Sequence, residues 1–176
     1  MDYELIKNKK IVEKTDLWRL MIVYEQGGIY QDIDRLCNIP FNTILDEDTK
    51  CVLPTYLDDN FSQDIIISSA SNIILETAIK LNLERRRKKK YKLYFLGPET
   101  YFAAITLVLI GEELKVNPGF QKMTQLRSII EECTYLKTYR EVPPFNTFLY
   151  QGPNIFDFEF EKDLMYKNEY VKHWTK

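Results

Sequence analysis

One histidine, His173, and three cysteines, Cys37, Cys51 and Cys133, in 176 residues leave little material for whole classes of chemistry. A Ser-His-Asp or Cys-His triad would have to be built on His173, and there is no G-x-S-x-G turn to present a nucleophile, so hydrolases of that type are disfavoured. The cysteines are far apart and form no C-x-x-C, which reads as buried reduced thiols rather than a disulfide frame or a zinc site. Neither G-x-x-x-x-G-K-[ST] nor G-x-G-x-x-G occurs, so kinase and dinucleotide readings lack their phosphate loops. No run approaches the ~18 to 20 apolar residues of a membrane span, and Met1-Asp2-Tyr3-Glu4 does not open a signal peptide. These absences lead us to expect a cytoplasmic protein. The formal net charge of -2 gives no basic footprint for nucleic acid.

What is present is apolar and aromatic. Hydrophobic residues make up 45% of the chain, with twelve Tyr and ten Phe, enough to build a core across one domain spanning residues 1–176. The segment carrying most chemical information is Thr15-Asp16-Leu17-Trp18-Arg19, followed by Gly27-Gly28-Ile29-Tyr30-Gln31-Asp32-Ile33-Asp34. Leu17, Leu20, Met21 and Tyr24 recur at i, i+3, i+4 and i+7, the stripe of an amphipathic helix, and Gly27 or Gly28 supplies the left-handed residue that ends it. Ile29 to Asp34 reads as a strand with Tyr30, Asp32 and Asp34 on one face.

Alternate residues of a strand lie roughly 6.5 to 7 Å apart on the same side, so the two carboxylates can converge on one ion. At ~5 Å and an effective dielectric of ~20 they repel by about 3 kcal/mol, and a divalent cation reverses that sign. Oxygen-only ligands suit Mg²⁺ or Mn²⁺, which keep positions open for substrate phosphates. Asp16 and Arg19, three apart on the preceding helix, read either as a helix-terminal acid with a surface ion pair or as a pair facing the acids, where Arg19 could hold a phosphate or a sugar hydroxyl.

Lys14 to Arg19, Tyr24, Gly27-Gly28-Ile29-Tyr30 and Asp32-x-Asp34 together resemble the sugar-nucleotide-binding signature of the DXD-containing glycosyltransferases of family 32, a group related to fungal α-mannosyltransferases, bacterial capsule sugar transferases and clostridial glucosylating toxins. The resemblance continues through Asn38-Ile39-Pro40-Phe41, Gly97-Pro98 and His173-Trp174. It implies an α/β fold of the GT-A (Rossmann-like) type, a Mn²⁺ or Mg²⁺ cofactor, a UDP- or GDP-hexose donor, a hydroxyl acceptor such as a glycan, polysaccharide or lipid-linked sugar, and transfer with retention. Carried over by position, Asp16, Arg19, Tyr30, Asp32, Gly97 and Trp174 would bind the donor. Asp32 and Asp34, with His173, would hold the metal, and Arg19 with the metal would stabilise the leaving diphosphate. Gln63 and Asp64, heading the next strand, are candidates for a group near the anomeric carbon. Members of the family place an opening strand some tens of residues before the Asp-x-x-Arg helix, whereas only fourteen residues precede Thr15 here. The resemblance thus implies a core without its first N-terminal β-α-β part, whose open sheet edge would favour self-association or a partner chain. Two alternatives stay open: a non-catalytic remnant that binds sugar nucleotide or glycan, and a Mg²⁺-dependent phosphoesterase using Asp32 and Asp34.

Along the rest of the chain, Cys51 to Pro54 and Asp64 to Ser68 read as strands covered on two sides. Ser71 or Asn72 caps a helix to about Leu83 with Ile73, Ile74, Thr77, Ala78 and Leu81 inward. Gly97-Pro98 opens a helix to about Ile110, Gln121 to Cys133 is another, and Thr147 to Tyr150 a further strand. The block Arg85-Arg86-Arg87-Lys88-Lys89-Lys90 reads first as a solvated helix end and second as a patch for peripheral contact with an anionic membrane.

Overall fold

The computed structural model describes residues 5–32, 41–43, 45–55, 61, 63–88, 96–116, 118–133 and 135–140. Helix α1, Ile11–Gln26, starts where the Glu13 carboxylate accepts from the Lys10 N–H at 3.2 Å. It ends at Gly27, whose φ of 67° is left-handed and whose N–H returns to the Val23 carbonyl at 2.8 Å. A Cβ there would stand 2.8 Å from the Ala70 nitrogen, so both conformation and close approach require glycine.

Strand β1, Gly28–Gln31, follows directly, then a short 3₁₀ turn at Phe41–Thr43, β2 at Cys51–Thr55 and β3 at Ile65–Ser68. Helix α2 is Ile73–Arg87, capped by the Asn72 side chain accepting from the Ile74 N–H at 2.9 Å. Helix α3, Pro98–Ile110, has Pro98 in its first turn and left-handed Gly111 at its end. Helix α4 is Phe120–Glu132, and β4 is Leu136–Arg140. The described strands form one sheet in the order β1-β3-β2-β4, with β3 antiparallel to both neighbours and β4 parallel to β2. Continuous apolar runs state that strands are covered, not how they pair: β3 is buried throughout yet runs antiparallel. Strand β1, which ends one residue before Asp32, stands at one end of this order.

Helix α1 packs on β3 and α2, and α2 packs on α3, closing a core around Leu20, Leu53, Ile66, Leu75, Tyr101 and Phe102. Two expectations for α2 fail on the same geometry. Its inward stripe runs through Ile74, Leu75, Ala78 and Asn82 to Arg85 and Arg86, while Ile73 is exposed. The basic block is therefore not one solvated or membrane-facing patch, because its first two guanidinium groups are inside. Arg85 donates to Thr100 Oγ1 at 2.8 Å and Glu113 Oε1 at 2.5 Å, and Arg86 is still more deeply buried. Burying a guanidinium is tolerated only when its donors are hydrogen-bonded on this scale. Cys51 and Cys133 are free thiols; burial pushes Cys51 up to about 12, which removes thiolate reactivity. No helix among the described residues is long and apolar enough to cross a membrane.

Candidate functional site

The antiparallel register of β1 and β3 sets Tyr30 opposite Ile66 and Gln31 opposite Ile65, and the Asp32 N–H then donates to the Asp64 carbonyl at 2.7 Å. That carries the ladder one residue beyond each strand and brings Asp32 beside Gln63. Helix α1 crosses the same end of the sheet, and because residues three apart share a helix face, Asp16 and Arg19 point to this junction together.

Arg19 organises the cluster. Its Nη2 pairs with Asp16 Oδ1 at 3.2 Å, and its Nη1 lies 3.0 Å from Asp32 Oδ1, 3.3 Å from Asp32 Oδ2 and 3.2 Å from the Gln63 carbonyl. The Tyr30 hydroxyl donates to Asp32 Oδ1 at 2.5 Å, and the guanidinium carbon lies 5.0 Å from the centre of the Tyr30 ring, a cation–π contact. Trp18, exposed, meets Tyr30 edge-on. Gln63 Nε2 donates to Asp16 Oδ1 at 3.2 Å. Gly97 closes the inner wall: a Cβ there would come within 2.5 Å of Gln63 Nε2 and 3.0 Å of Asp16 Oδ2. Two buried polar atoms of the cluster have no hydrogen-bond partner among the described residues, the donor Arg19 Nε and the acceptor Gln63 Oε1.

This arrangement removes the surface reading of the Asp16–Arg19 pair. The helix begins at Ile11, so Asp16 is not a first-turn acid, and both side chains are buried. Burial raises the Asp16 carboxyl to about 6, against the lowering pull of Arg19; Asp32 raises it further, while Arg86 and the Gln63 hydrogen bond lower it. Burial, together with the hydrogen bond it donates to Asp32, likewise holds the Tyr30 phenol well above its ordinary range although Arg19 opposes this, so it stays protonated.

The consequence of Asp16 for pH has two signs. Its folded value lies above the unfolded 3.8, so the folded chain binds the proton more tightly; that contribution to stability is full below about 3.8 and is lost as pH rises through about 6. Ligand binding runs the other way, because an ionised Asp16 is what Arg19 and Gln63 donate to. Titrated across pH 5 to 8, affinity for a ligand of this cluster is expected to rise through about 6, and Asp16→Asn is expected to flatten the profile. An unchanged profile in that variant would remove Asp16 as the controlling group.

Residues 2–51, which contain Asp16, Arg19, Tyr30 and Asp32, match the family model described as "Glycosyltransferase sugar-binding region containing DXD motif". The likeness is to DXD glycosyltransferases. Among solved structures the chain is similar to one titled "PaToxG Glycosyltransferase", with a TM-score of 0.51 and 18% identity over 72% of this chain and 44% of that one. The chain thus spans less than half of that structure's length and shares its α/β fold. No curated protein matches it in sequence.

Within the DXD region the structure assembles Asp16, Arg19, Tyr30 and Asp32, brings Gln63 and Gly97 to them from distant parts of the chain, and sets Asp64 beside Asp32 through its backbone. Asp34, His173 and Trp174, like Thr147 to Tyr150, lie outside the described residues. Gly97 enters as a wall against Asp16 and Gln63, a role that its position ahead of a helix did not signal.

Proposed function

We propose that this chain forms the donor site of a metal-dependent glycosyltransferase that moves a hexosyl group from a nucleotide sugar to a hydroxyl acceptor with retention of configuration. The observation that carries this reading is the unpaired couple inside the cluster, Arg19 Nε as donor and Gln63 Oε1 as acceptor, flanking a shared carboxylate. Both atoms are buried in the chain as it stands, and a sugar hydroxyl, which accepts and donates, would satisfy both once the site opens to it, which a purely anionic ligand would not.

The metal fits the chemistry of the residue that is described. Asp32 offers a hard carboxylate, partly exposed, whose inner side is taken by Arg19 and Tyr30. Asp16, Arg19 and Asp32 together carry one net negative charge when both acids are ionised, an excess that favours a cation near Asp32, with Asp34 of the same triplet as second ligand. His173 is the further candidate ligand and Trp174 the further donor contact that the resemblance offers. A bound Mn²⁺ or Mg²⁺ would supply charge for the diphosphate. Among the described residues no group of three or more His, Cys, Asp or Glu gathers for a metal.

Both Nη groups are engaged by Asp16 and Asp32, which supports placing Arg19 against the sugar, beside its expected role at the diphosphate. Asp16 fixes the guanidinium plane, Tyr30 orients Asp32, and Gln63 sits on the sugar side. In retaining transfer the bond from anomeric carbon to phosphate oxygen breaks, the acceptor oxygen bonds on the same face, and its proton passes to the departing phosphate, so no strong side-chain base is needed.

Incubation with UDP- and GDP-hexoses and Mn²⁺, reading release of the nucleoside diphosphate, tests this directly: metal-dependent release from one donor is expected, and none from any donor would leave a binding remnant at most. Asp32→Asn should weaken that donor about tenfold and cost about 1–2 kcal/mol of stability, since a charge-assisted bond to a partly buried Arg is lost. An Asp32→Asn chain with unchanged affinity would exclude Asp32 from the site.

A further inference from the structure

Asn82 and Arg86 lie one turn apart on the inward face of α2, fully buried and outside the matched DXD region. Arg86 Nη2 donates to the Glu13 carbonyl of α1 at 2.5 Å, and its Nε donates to Asn82 Oδ1 at 2.5 Å. Guanidinium nitrogens only donate, so the Asn82 amide has one permitted orientation, with its oxygen to Arg86 and its NH₂ away. That NH₂ donates to the Leu96 carbonyl at 2.8 Å, the residue before Gly97. One end of this chain of bonds holds α1 at Glu13, one turn ahead of Asp16, and the other holds the Gly97 turn that walls Gln63 and Asp16.

We propose that Asn82 and Arg86 are positioning residues for the sugar end of the donor site, a strut that fixes the gap between α1 and the Gly97 turn in which Asp16 and Gln63 meet. The role for the donor rests on the reading above, whereas the strut itself does not. Loss of the Asn82 donor frees the Leu96 carbonyl, lets Gly97 withdraw, and removes the confinement that keeps Gln63 Nε2 on Asp16. Neither residue touches substrate; both act through Gly97 and Asp16.

Asn82→Asp is the discriminating variant, because it keeps an acceptor, now charged, for Arg86 and turns the bond to Leu96 into a repulsion between a carboxylate oxygen and a carbonyl. Nuclear magnetic resonance of the full chain would follow exchange of the Gln63 side-chain NH₂ with water, and initial rates with Mn²⁺ at varied concentrations of the donor returned by the hexose screen would give KM and kcat. We expect Gln63 exchange at least fivefold faster and KM raised about fivefold with kcat little changed. A folded Asn82→Asp chain with wild-type Gln63 exchange overturns the proposal, whatever its melting temperature. If the wild-type chain binds no nucleotide sugar, the donor reading fails while the Gln63 exchange still decides the strut. Should Asn82→Asp not fold, Arg86→Lys carries the same readout, since a lysine keeps the charge but cannot hold Asn82 and Glu13 together. Failure of both variants to fold would make the pair plain core supports and overturn the proposal as well.

Discussion

Arg19→Lys is expected to weaken donor binding by roughly 30- to 100-fold although the charge is retained, the equivalent of about 2–3 kcal/mol. A planar fork here reaches Asp16 with one nitrogen and Asp32 and the Gln63 carbonyl with the other, while its buried Nε has no partner. A lysine nitrogen is a single point that can approach one carboxylate or the other and leaves no counterpart of Nε. The face of the Tyr30 ring also loses its delocalised cation. Stability should suffer less than in Arg19→Ala, where Asp16 and Asp32 would be left near each other without a cation in a half-closed site. Calorimetric titration of both variants measures the difference, and an Arg19→Lys chain within twofold of wild type would return Arg19 to a purely structural ion pair.

Gly97→Ala should separate site from fold. The added methyl would fall 2.5 Å from Gln63 Nε2 and 3.0 Å from Asp16 Oδ2. Because Gln63 Nε2 is the end of a flexible side chain, the fold can yield there, and the cost is about 1–2 kcal/mol, a fall in Tm of roughly 3–6 °C. The donor site cannot yield in the same way, since moving Gln63 breaks its bond to Asp16 and displaces its free oxygen. Affinity is expected to drop on the order of 30-fold. Wild-type affinity together with a lowered Tm would show that the wall is not part of the site.

The local half of this cluster was legible because its logic is short in sequence. Asp16 and Arg19 meet by helical spacing, Tyr30 and Asp32 by strand alternation, and a glycine pair marks the passage between the two periods. Gln63 could be suspected from its place at the head of a strand, but its contact with Asp16 depends on how α1 packs across β3, which alternation does not encode. Gly97 arrives from a helix start on the far side of the core. Helices α1 and α3 followed from stripe, glycine and proline signals and α4 answers the helix read from Gln121 to Cys133, whereas β4 was missed because Leu136 to Arg140 is short and polar and draws its place from parallel pairing with β2. Arg85 and Arg86 misled for a physical reason: a run of like charge is usually solvated, and only the continuation of the α2 stripe from Asn82 turns these two inward.

The most direct measurement is a calorimetric titration of the chain with UDP- and GDP-hexoses, each with Mn²⁺ and with chelator, paired with the corresponding nucleoside diphosphate lacking the sugar. Saturable, Mn²⁺-dependent binding is expected that is tighter for one nucleotide sugar than for its diphosphate, because the free donor and acceptor of Arg19 and Gln63 are spent on the hexose. Equal affinity for sugar nucleotide and bare diphosphate would contradict the placement of the sugar in this cluster, and no binding in either form would contradict the donor site itself.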